Sequence, residues 1–232
     1  MADDIRFKHP FTCIVSGPSG SGKSSFTLRF VQHLDSLCTE PFSGGIIWCY
    51  SEKSAVPRET LTSLHKTVSF YEGVPQNFGD DHGRPCLIIL DEVYSKDVCD
   101  LFTKGSHHGN ISVILITQNL FYHGRFCRDI SLSAMYSVSL KNVRDKSQYQ
   151  YLARQVHPEE SDSLYKSYLE VTERAHGYLI LDFAQDTDDR LRYRTNVFPD
   201  EYPPIIYMPT KKGDEADKIE LSRSASIKDG GY

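Results

Sequence analysis

A short run of glycines ending in lysine and serine carries the clearest chemistry in this 232-residue sequence. Residues 17–24 read Gly-Pro-Ser-Gly-Ser-Gly-Lys-Ser, which matches the pattern G-x-x-x-x-G-K-[ST] in full. The glycines allow consecutive backbone N–H groups to point into one concavity, and a following helix adds the positive end of its dipole. The Lys23 ammonium can reach the β- and γ-phosphates of a nucleotide, and the Ser24 hydroxyl can bind Mg²⁺. We therefore predict an ATP site formed by Gly17, Pro18, Ser19, Gly20, Ser21, Gly22, Lys23, Ser24 and Ser25.

Two adjacent carboxylates follow an entirely apolar segment further along the chain. Residues 86–90 read Cys-Leu-Ile-Ile-Leu and are followed by Asp91 and Glu92. Charge at the end of a buried strand is unusual unless the charge has a function. After a phosphate-binding loop, the pattern predicts that Asp91 holds Mg²⁺ through water and that Glu92 orients or deprotonates an attacking water. The alternative is a strand that simply ends in two solvated carboxylates.

A third polar side chain follows the next apolar segment, Ser112–Thr117. Gln118 comes directly after this segment, at the expected tip of a strand beside the Asp91–Glu92 strand. An amide in that place faces the γ-phosphate and the attacking water, so we predict that Gln118 senses hydrolysis. The alternative is an amide that caps a turn.

These residues need a sheet to bring them together, and the hydrophobic pattern predicts one. Short apolar segments alternate with segments of helical period, which indicates a mainly parallel sheet covered by helices. The last two strands are expected to pair antiparallel, because only a polar turn separates them. The predicted strands are Thr12–Ser16, Gly45–Ser51, Thr67–Tyr71, Cys86–Leu90, Ser112–Thr117, Tyr136–Leu140, Gly177–Phe183 and Arg192–Val197.

Helical spacing is clear in four places. After Lys23, apolar residues recur every three or four positions as far as Leu37. Ser95 is expected to cap a short helix, and a longer helix is expected over about Glu159–Thr172. Asp145 and Gln148 have the spacing of a capping box before a further helix.

The order of the motifs indicates a fold class. Asp91 lies 68 positions after Lys23 (91 − 23), with two strand-like segments between them. This separation leaves room for a strand inserted between the two motif strands in the sheet. We predict an α/β P-loop NTPase of the RecA-like, additional-strand catalytic-glutamate class, with a mostly parallel central sheet and helices on both faces. Residues 1–200 are expected to form this domain, and residues 201–232 an ordered strap followed by a disordered tail.

Composition and charge exclude several classes of protein. The net charge of −5 excludes a general polycation but not a local basic patch, and 39% hydrophobic residues exclude a chain disordered throughout. No segment approaches the ~20 apolar residues that cross a bilayer, and the acidic first residues lack the apolar core of a signal peptide. We therefore expect neither secretion nor a membrane partner. The six cysteines show no CxxC spacing, which favours reduced thiols over disulfides or zinc.

A more selective set of motifs lies after the Asp91–Glu92 pair. It comprises residues 105–114 (Gly-Ser-His-His-Gly-Asn-Ile-Ser-Val-Ile), 117–121 (Thr-Gln-Asn-Leu-Phe), 128–131 (Arg-Asp-Ile-Ser) and 141–148 (Lys-Asn-Val-Arg-Asp-Lys-Ser-Gln). In these motifs the sequence resembles the FtsK–HerA superfamily. Within it, the chain is most similar to the poxvirus-type DNA-packaging ATPases, which are found also in giant DNA viruses and Polinton/Maverick elements.

The resemblance covers about residues 10–200 and implies a function that spacing alone does not give. It implies an ATPase, dependent on ATP and Mg²⁺, that forms a homo-oligomeric ring, often a hexamer. Such a ring pulls double-stranded DNA, without sequence preference, into a preformed capsid made of a capsid protein. An intracellular location follows, in the host nucleus or cytoplasm or with the virion. The sequence contains no recognisable nuclease domain and no DNA-binding module of the helix-turn-helix or zinc type.

A local basic excess accompanies the same motifs. Between Phe121 and Arg154, six basic residues stand against only Asp129 and Asp145. Hydrolysis at the predicted site needs a further cation for the charge on the γ-phosphate, and an arginine of a neighbouring subunit would supply it. The candidates are Arg128 and Arg144, with Arg125 third; pairing with surface carboxylates or with DNA phosphates is the alternative. The loop Lys104–Asn110 is expected either to face a ring pore or to form a structural turn.

Two other functions remain open at this stage. An ATP-gated interaction module would use the same nucleotide site to switch a partner without moving DNA. A nucleotide or nucleoside kinase would need an acceptor pocket and an arginine-rich lid, and the sequence shows no convincing lid.

Overall fold

One sheet of ten strands runs through the part of the chain that the computed structural model describes, residues 4–52, 54, 56–64, 67–75, 83–105, 110–121, 127–201, 203–208 and 217–220. The strands are β1 (Thr12–Ser16), β2 (Gly45–Tyr50), β3 (Val68–Glu72), β4 (Cys86–Asp91), β5 (Ile111–Thr117), β6 (Tyr136–Leu140), β7 (Tyr178–Asp182), β8 (Tyr193–Thr195), β9 (Ile205–Met208) and β10 (Asp217–Glu220). Their order in the sheet is β10-β9-β8-β7-β6-β1-β5-β4-β2-β3. The eight predicted strands are confirmed, with ends that differ by one or two residues at most.

The six strands from β6 to β3 in this order are all parallel. Ser16 pairs with Thr117 and Ile116 pairs with Asp91, so the carboxyl ends of β1, β5 and β4 meet at one edge of the sheet. The strand inserted between β1 and β4 is β5, which follows β4 in the chain. The two segments between the motifs, β2 and β3, lie on the far side of β4. The predicted α/β class with a mostly parallel central sheet is confirmed.

The remaining strands form an antiparallel half. The predicted antiparallel pairing of β7 with β8 is confirmed, and β6 pairs antiparallel with β7. Two strands lie beyond residue 200: β9 pairs with β8, and β10 pairs with β9. The sheet therefore continues past residue 200, the limit predicted for the domain, and residues 217–220 form a strand within the segment expected to be a tail. The sheet extends this far for a physical reason. Ile206 and Tyr207 of β9 are buried, and the backbone of β9 pairs with β8, which would otherwise be an open edge of the sheet. Residues 221–232 lie outside the described part of the chain.

Helices cover both faces of the sheet, because successive strand residues point to opposite sides. One core contains Leu87 and Ile89 of β4, and the other contains Ile88 and Leu90. The helices on the first face are α1 (Lys23–Gln32), α2 (Leu34–Leu37) and α3 (Arg58–Leu64). Those on the second are α4 (Lys96–Asp100), α5 (Cys127–Ser133), α6 (Ser147–Val156) and α7 (Ser161–Val171). Among these described helices, none is long and apolar enough to cross a membrane.

Two predicted helix starts differ in outcome. Ser95 caps α4 as predicted, since its Oγ accepts a hydrogen bond from the Val98 N–H at 3.3 Å. The capping box at Asp145 and Gln148 is not formed, because Lys146 occupies the N-cap position of α6 without a side-chain bond. The Gln148 amide instead donates to the Asp145 carboxylate. The bond therefore joins the side chains of Gln148 and Asp145, and neither side chain caps a backbone N–H at the start of the helix.

A buried ion pair holds the antiparallel half together. Asp182 at the end of β7 accepts a hydrogen bond from Arg194 Nη1 at 3.0 Å, and both side chains are almost completely buried. The other carboxylate oxygen of Asp182 accepts from the Ala184 N–H and the Thr187 hydroxyl at 3.0 and 3.1 Å. Loss of the carboxylate would leave the guanidinium buried without its counter-charge, which is costly.

We predict that Asp182→Ala lowers the free energy of unfolding by about 3–5 kcal/mol, as measured by urea denaturation. Asp186→Ala is the matched control, because Asp186 pairs with Lys8 at 2.8 Å on the surface. Loss of that exposed pair should cost less than about 1 kcal/mol. Equal effects of the two substitutions would contradict the importance of the buried pair.

Candidate nucleotide-binding site

The P-loop, residues 17–24, turns tightly from β1 into α1. The Gly17 N–H donates to the Thr117 carbonyl at 3.2 Å, which extends the β1–β5 ladder beyond the end of β1. A Cβ on Gly17 would lie 2.6 Å from Ser21 Oγ and 3.1 Å from Leu140 Cβ, so a larger residue would force these side chains to move. Gly22 has φ 103°, and a Cβ there would lie 2.9 Å from the His176 ring. The loop therefore forms a cradle that substituted side chains would fill.

Lys23 lies inside this turn. Lys23 is 8% exposed, and its ammonium donates hydrogen bonds to the carbonyls of Gly17 and Pro18 at 2.8 and 3.2 Å. Burial lowers the pKa of Lys23, and the charges of Glu92 and Asp91 oppose that lowering. The lysine is thus a buried cation held by carbonyls near two carboxylates. Ser24 and Ser25 are exposed at the first turn of α1.

Asp91 is a buried carboxyl at the end of β4. Burial and the charge of Glu92 raise the pKa of Asp91 to about 6, while the charge of Lys23 acts in the opposite direction. The Trp48 indole N–H lies beside the carboxyl and also lowers the pKa, although its geometry falls short of a full hydrogen bond. The carboxyl therefore sits where a cation would be stabilised.

Glu92 turns the chain sharply at the end of β4. It adopts φ 55°, a left-handed conformation that is uncommon for residues other than glycine and is often found at functional sites. Its N–H donates to the Ile116 carbonyl at 3.1 Å, and its carboxylate accepts a hydrogen bond from Gln118 Nε2 at 2.9 Å. The two strand tips are thus joined through both backbone and side chain.

The tip of β5 is held from its other side as well. The Tyr94 hydroxyl donates to Thr117 Oγ1 at 2.7 Å, and Thr117 Oγ1 donates to the Asn119 carbonyl at 2.9 Å. Tyr94 carries no motif signal, and sequence reasoning missed it. Its contact with Thr117 depends on the turn after Glu92, which brings Tyr94 to the tip of β5.

A cleft of about 800 Å³ opens beside the P-loop, within the range typical of ligand sites. Its walls come from the P-loop, from the tip of β5, from the turn after β6 and from the turn before β7. Gln118 lies where the cleft meets the Asp91–Glu92 edge. The residues that line it are Pro18, Ser19, Gly20, Ser21, Gln118, Asn119, Lys141, Asn142, Val143, Arg144, Asp145, Gln148, Ala175 and His176.

His176 is a second residue that sequence reasoning missed. It has φ 59°, and its Nδ1 lies 3.0 Å from the Ser21 carbonyl oxygen, 155 positions away in the chain. The ring also lies against Gly22. No local sequence pattern predicts this contact, because it depends on how the turn between α7 and β7 packs on the P-loop.

The predicted arginines are separated in the structure. Arg144 lines the cleft together with the P-loop of its own chain. Arg128 is exposed near the start of α5 and is not among the residues that line the cleft. Arg125 and residues 106–109 of the predicted pore loop lie outside the described residues.

The residues at this edge fit a magnesium ion shared with a nucleotide. Among the described residues, no group of three or more His, Cys, Asp or Glu side chains could hold a metal by itself. Mg²⁺ in phosphate-transfer sites is bound by one or two protein oxygens together with phosphates and waters. Asp91 and the Ser24 hydroxyl are oxygen donors of this kind, and the glycine cradle leaves room for phosphates.

Several solved structures are similar to this one. The genome packaging NTPase B204 from Sulfolobus turreted icosahedral virus 2, in complex with AMPPCP, has 12% sequence identity and a TM-score of 0.47 over 75% of this chain and 93% of B204. Its complex with ATP-gammaS has 13% identity and a TM-score of 0.45 over 75% of this chain and 92% of B204. The Legionella pneumophila ATPase DotB has 15% identity and a TM-score of 0.37 over 72% of this chain and 54% of DotB. No protein-family model and no curated protein matches the sequence.

At these identities the likeness concerns the fold. What this chain binds must be inferred from its own residues.

We predict that the Asp91 carboxyl of the nucleotide-free protein titrates near pH 6 in a carbon-13 NMR titration, well above its ordinary value of 3.8. Between about pH 4 and pH 6 the folded chain therefore holds a proton that the unfolded chain has lost. The contribution of Asp91 to the free energy of unfolding is fully present below about pH 4 and is lost as the pH rises through about 6.

Glu92→Gln serves as the control for this titration. Removal of the neighbouring like charge should lower the pKa of Asp91, because that charge is the second-largest cause of the shift. A wild-type midpoint near the ordinary value, or the same midpoint in both proteins, would contradict this account of the site.

Proposed function

We propose that this chain is a Mg²⁺-dependent ATPase. The observation that carries the proposal is the 2.9 Å hydrogen bond from Gln118 to Glu92. This bond lies at the same edge of the sheet as Lys23, the last residue but one of the P-loop. A phosphate cradle, a buried carboxyl and an oriented carboxylate with an amide beside it are the parts that hydrolysis of a nucleoside triphosphate requires.

Each residue has a definite role in this reaction. The P-loop N–H groups bind the phosphates, and the Lys23 ammonium exchanges its two carbonyl acceptors for phosphate oxygens. Ser24 and Asp91 would hold Mg²⁺, which would neutralise charge on the phosphates. The Glu92 carboxylate accepts the proton of the attacking water, and Gln118 keeps that carboxylate oriented.

The arginines divide into two roles. Arg144 lies in the cleft of its own chain, which supports a contact with the nucleotide of the same subunit rather than the neighbouring one. Arg128 is exposed on α5 and therefore remains the candidate for a finger that enters the site of a neighbouring subunit. Only the role of Arg128 depends on the proposal of a homo-oligomeric ring.

The purpose of hydrolysis in this proposal is translocation of double-stranded DNA, as in viral genome packaging. Support comes from the motifs shared with packaging ATPases, from the basic excess between Phe121 and Arg154, and from the similarity to a viral packaging NTPase. Packaging implies a capsid protein as partner and an intracellular site of action. Contacts with the phosphate backbone would suffice, because translocation needs no sequence readout.

A second candidate function is an ATP-gated switch that does not move DNA. The hydrogen bonds that join the tip of β5 to the start of α6 provide the path that such a switch would need, because they lead from the nucleotide site to the surface. Both functions use the same site, so they differ only in what hydrolysis drives.

We predict that Glu92→Gln binds ATP normally but hydrolyses it about 10²- to 10⁴-fold more slowly, because the general base is lost while the cradle remains. Lys23→Ala should lose ATP binding itself. Binding is measured with a fluorescent ATP analogue and turnover by phosphate release. Glu72→Gln and Lys96→Ala, which change exposed residues elsewhere, are the controls. Full turnover in Glu92→Gln would refute its role.

We predict that double-stranded DNA stimulates the ATPase rate and that the stimulation weakens as salt rises, because phosphate contacts release counterions. The stimulation should be the same for unrelated DNA sequences. A rate that DNA leaves unchanged at every salt concentration would favour the ATP-gated switch over the translocase.

A further inference from the structure

The side chain of Gln148 links two parts of the cleft wall. Its Oε1 accepts a hydrogen bond from the Leu120 N–H at 3.1 Å, and its Nε2 donates to Asn119 Oδ1 at 3.3 Å. The same Nε2 donates to Asp145 Oδ2 at 2.8 Å. Leu120 and Asn119 follow directly after Gln118, whereas Asp145 lies in the turn between β6 and α6. One amide thus holds the tip of β5 and this turn together.

The turn between β6 and α6, residues 141–146, is fixed at its two ends in different ways. At its start, the Asn142 N–H donates to the Tyr168 hydroxyl at 3.1 Å and Lys141 Nζ donates to the Glu173 carbonyl at 2.7 Å. Both partners belong to α7 or the residues after it. At its end, Asp145 is bound by the side chains of Ser147 and Gln148. Gln148 is therefore one of the side chains that hold the end of the turn in place.

Arg144 lies between these two anchors. Asn142 Oδ1 accepts the N–H groups of Arg144 and Asp145 at 3.1 and 2.9 Å, which makes the turn a compact unit. A displacement of Asp145 therefore displaces the backbone of Arg144. The route from the nucleotide site runs from Glu92 to Gln118, on to Asn119 and Leu120, and through Gln148 to Asp145 and Arg144.

We infer that Gln148 is a positioning residue that couples the Gln118–Glu92 contact to Arg144. This inference rests on the proposed ATPase function and names the path by which Gln118 reports the state of the nucleotide. Gln148 touches neither Glu92 nor Lys23, and its effect is exerted through the strand tip and the turn. Loss of the coupling lowers turnover while nucleotide binding and fold are retained.

The first test is Gln148→Ala in the full-length protein. It removes one hydrogen bond to a carboxylate and two to the strand tip, and we expect kcat to fall about tenfold to a hundredfold. The KM for ATP and the affinity for a non-hydrolysed ATP analogue should change little, and the protein should remain folded at the assay temperature, with a thermal midpoint lowered by the loss of these three bonds. Gln150→Ala on the same helix is the matched control. A kcat equal to that of the wild type would overturn the inference.

A charge exchange tests the bond to Asp145 separately. Gln148→Glu still accepts from the Leu120 N–H but places a carboxylate against the Asp145 carboxylate, so kcat should fall. The double variant Gln148→Glu with Asp145→Asn restores a donor and an acceptor between the two positions, and kcat should recover. A double variant no faster than Gln148→Glu would overturn the coupling, since a contact that only fills space gives no such rescue.

A third measurement follows the turn itself. Trypsin cleavage after Arg144 and Lys146 should change when the wild type binds the non-hydrolysed analogue and should stay unchanged in Gln148→Ala with the analogue bound. The same response in both proteins would overturn the inference alone. A wild type that neither binds nor hydrolyses ATP would instead refute the proposed function and the inference with it.

Discussion

The parallel register of β1, β5 and β4 is the constraint on which the site depends. Thr117 lies beside Ser16 and Ile116 beside Asp91, and the backbone ladder continues from Gly17 to Thr117 and from Glu92 to Ile116. A shift of one residue in any of these strands would turn its side chains to the opposite face. Packing on both faces resists such a shift, because each strand buries alternate residues in two separate cores.

The charged groups at this edge are arranged to favour a bound phosphate chain and a cation. Asp91 is buried beside Glu92, which raises the pKa of Asp91, and Lys23 is buried with carbonyls as its acceptors. Such groups are stabilised by partners of opposite charge. A phosphate chain with a divalent cation would give Lys23 its anion and the carboxylates their cation.

The walls of the cleft extend this site toward the surface. The P-loop contacts His176 from the turn before β7, and the tip of β5 contacts Gln148 at the start of α6. Arg144 lines the same cleft, in a turn whose start is anchored on α7. A change at the Gln118–Glu92 contact therefore has a hydrogen-bonded path to a basic part of the surface, which both a translocase and a switch require.

The amino-acid sequence by itself determined the phosphate cradle, the Asp91–Glu92 pair, the strand that carries Gln118 and the class of fold. These features are local: glycine spacing sets the turn, and runs of apolar residues set buried parallel strands. Only the tertiary structure decided that β5 separates β1 from β4, that β9 and β10 extend the sheet, and that Arg144 faces the cleft of its own chain. The contacts of Gln148 with Leu120 and of His176 with Ser21 likewise join residues 28 and 155 positions apart. Such contacts depend on how whole elements pack, and no spacing within a single segment encodes them.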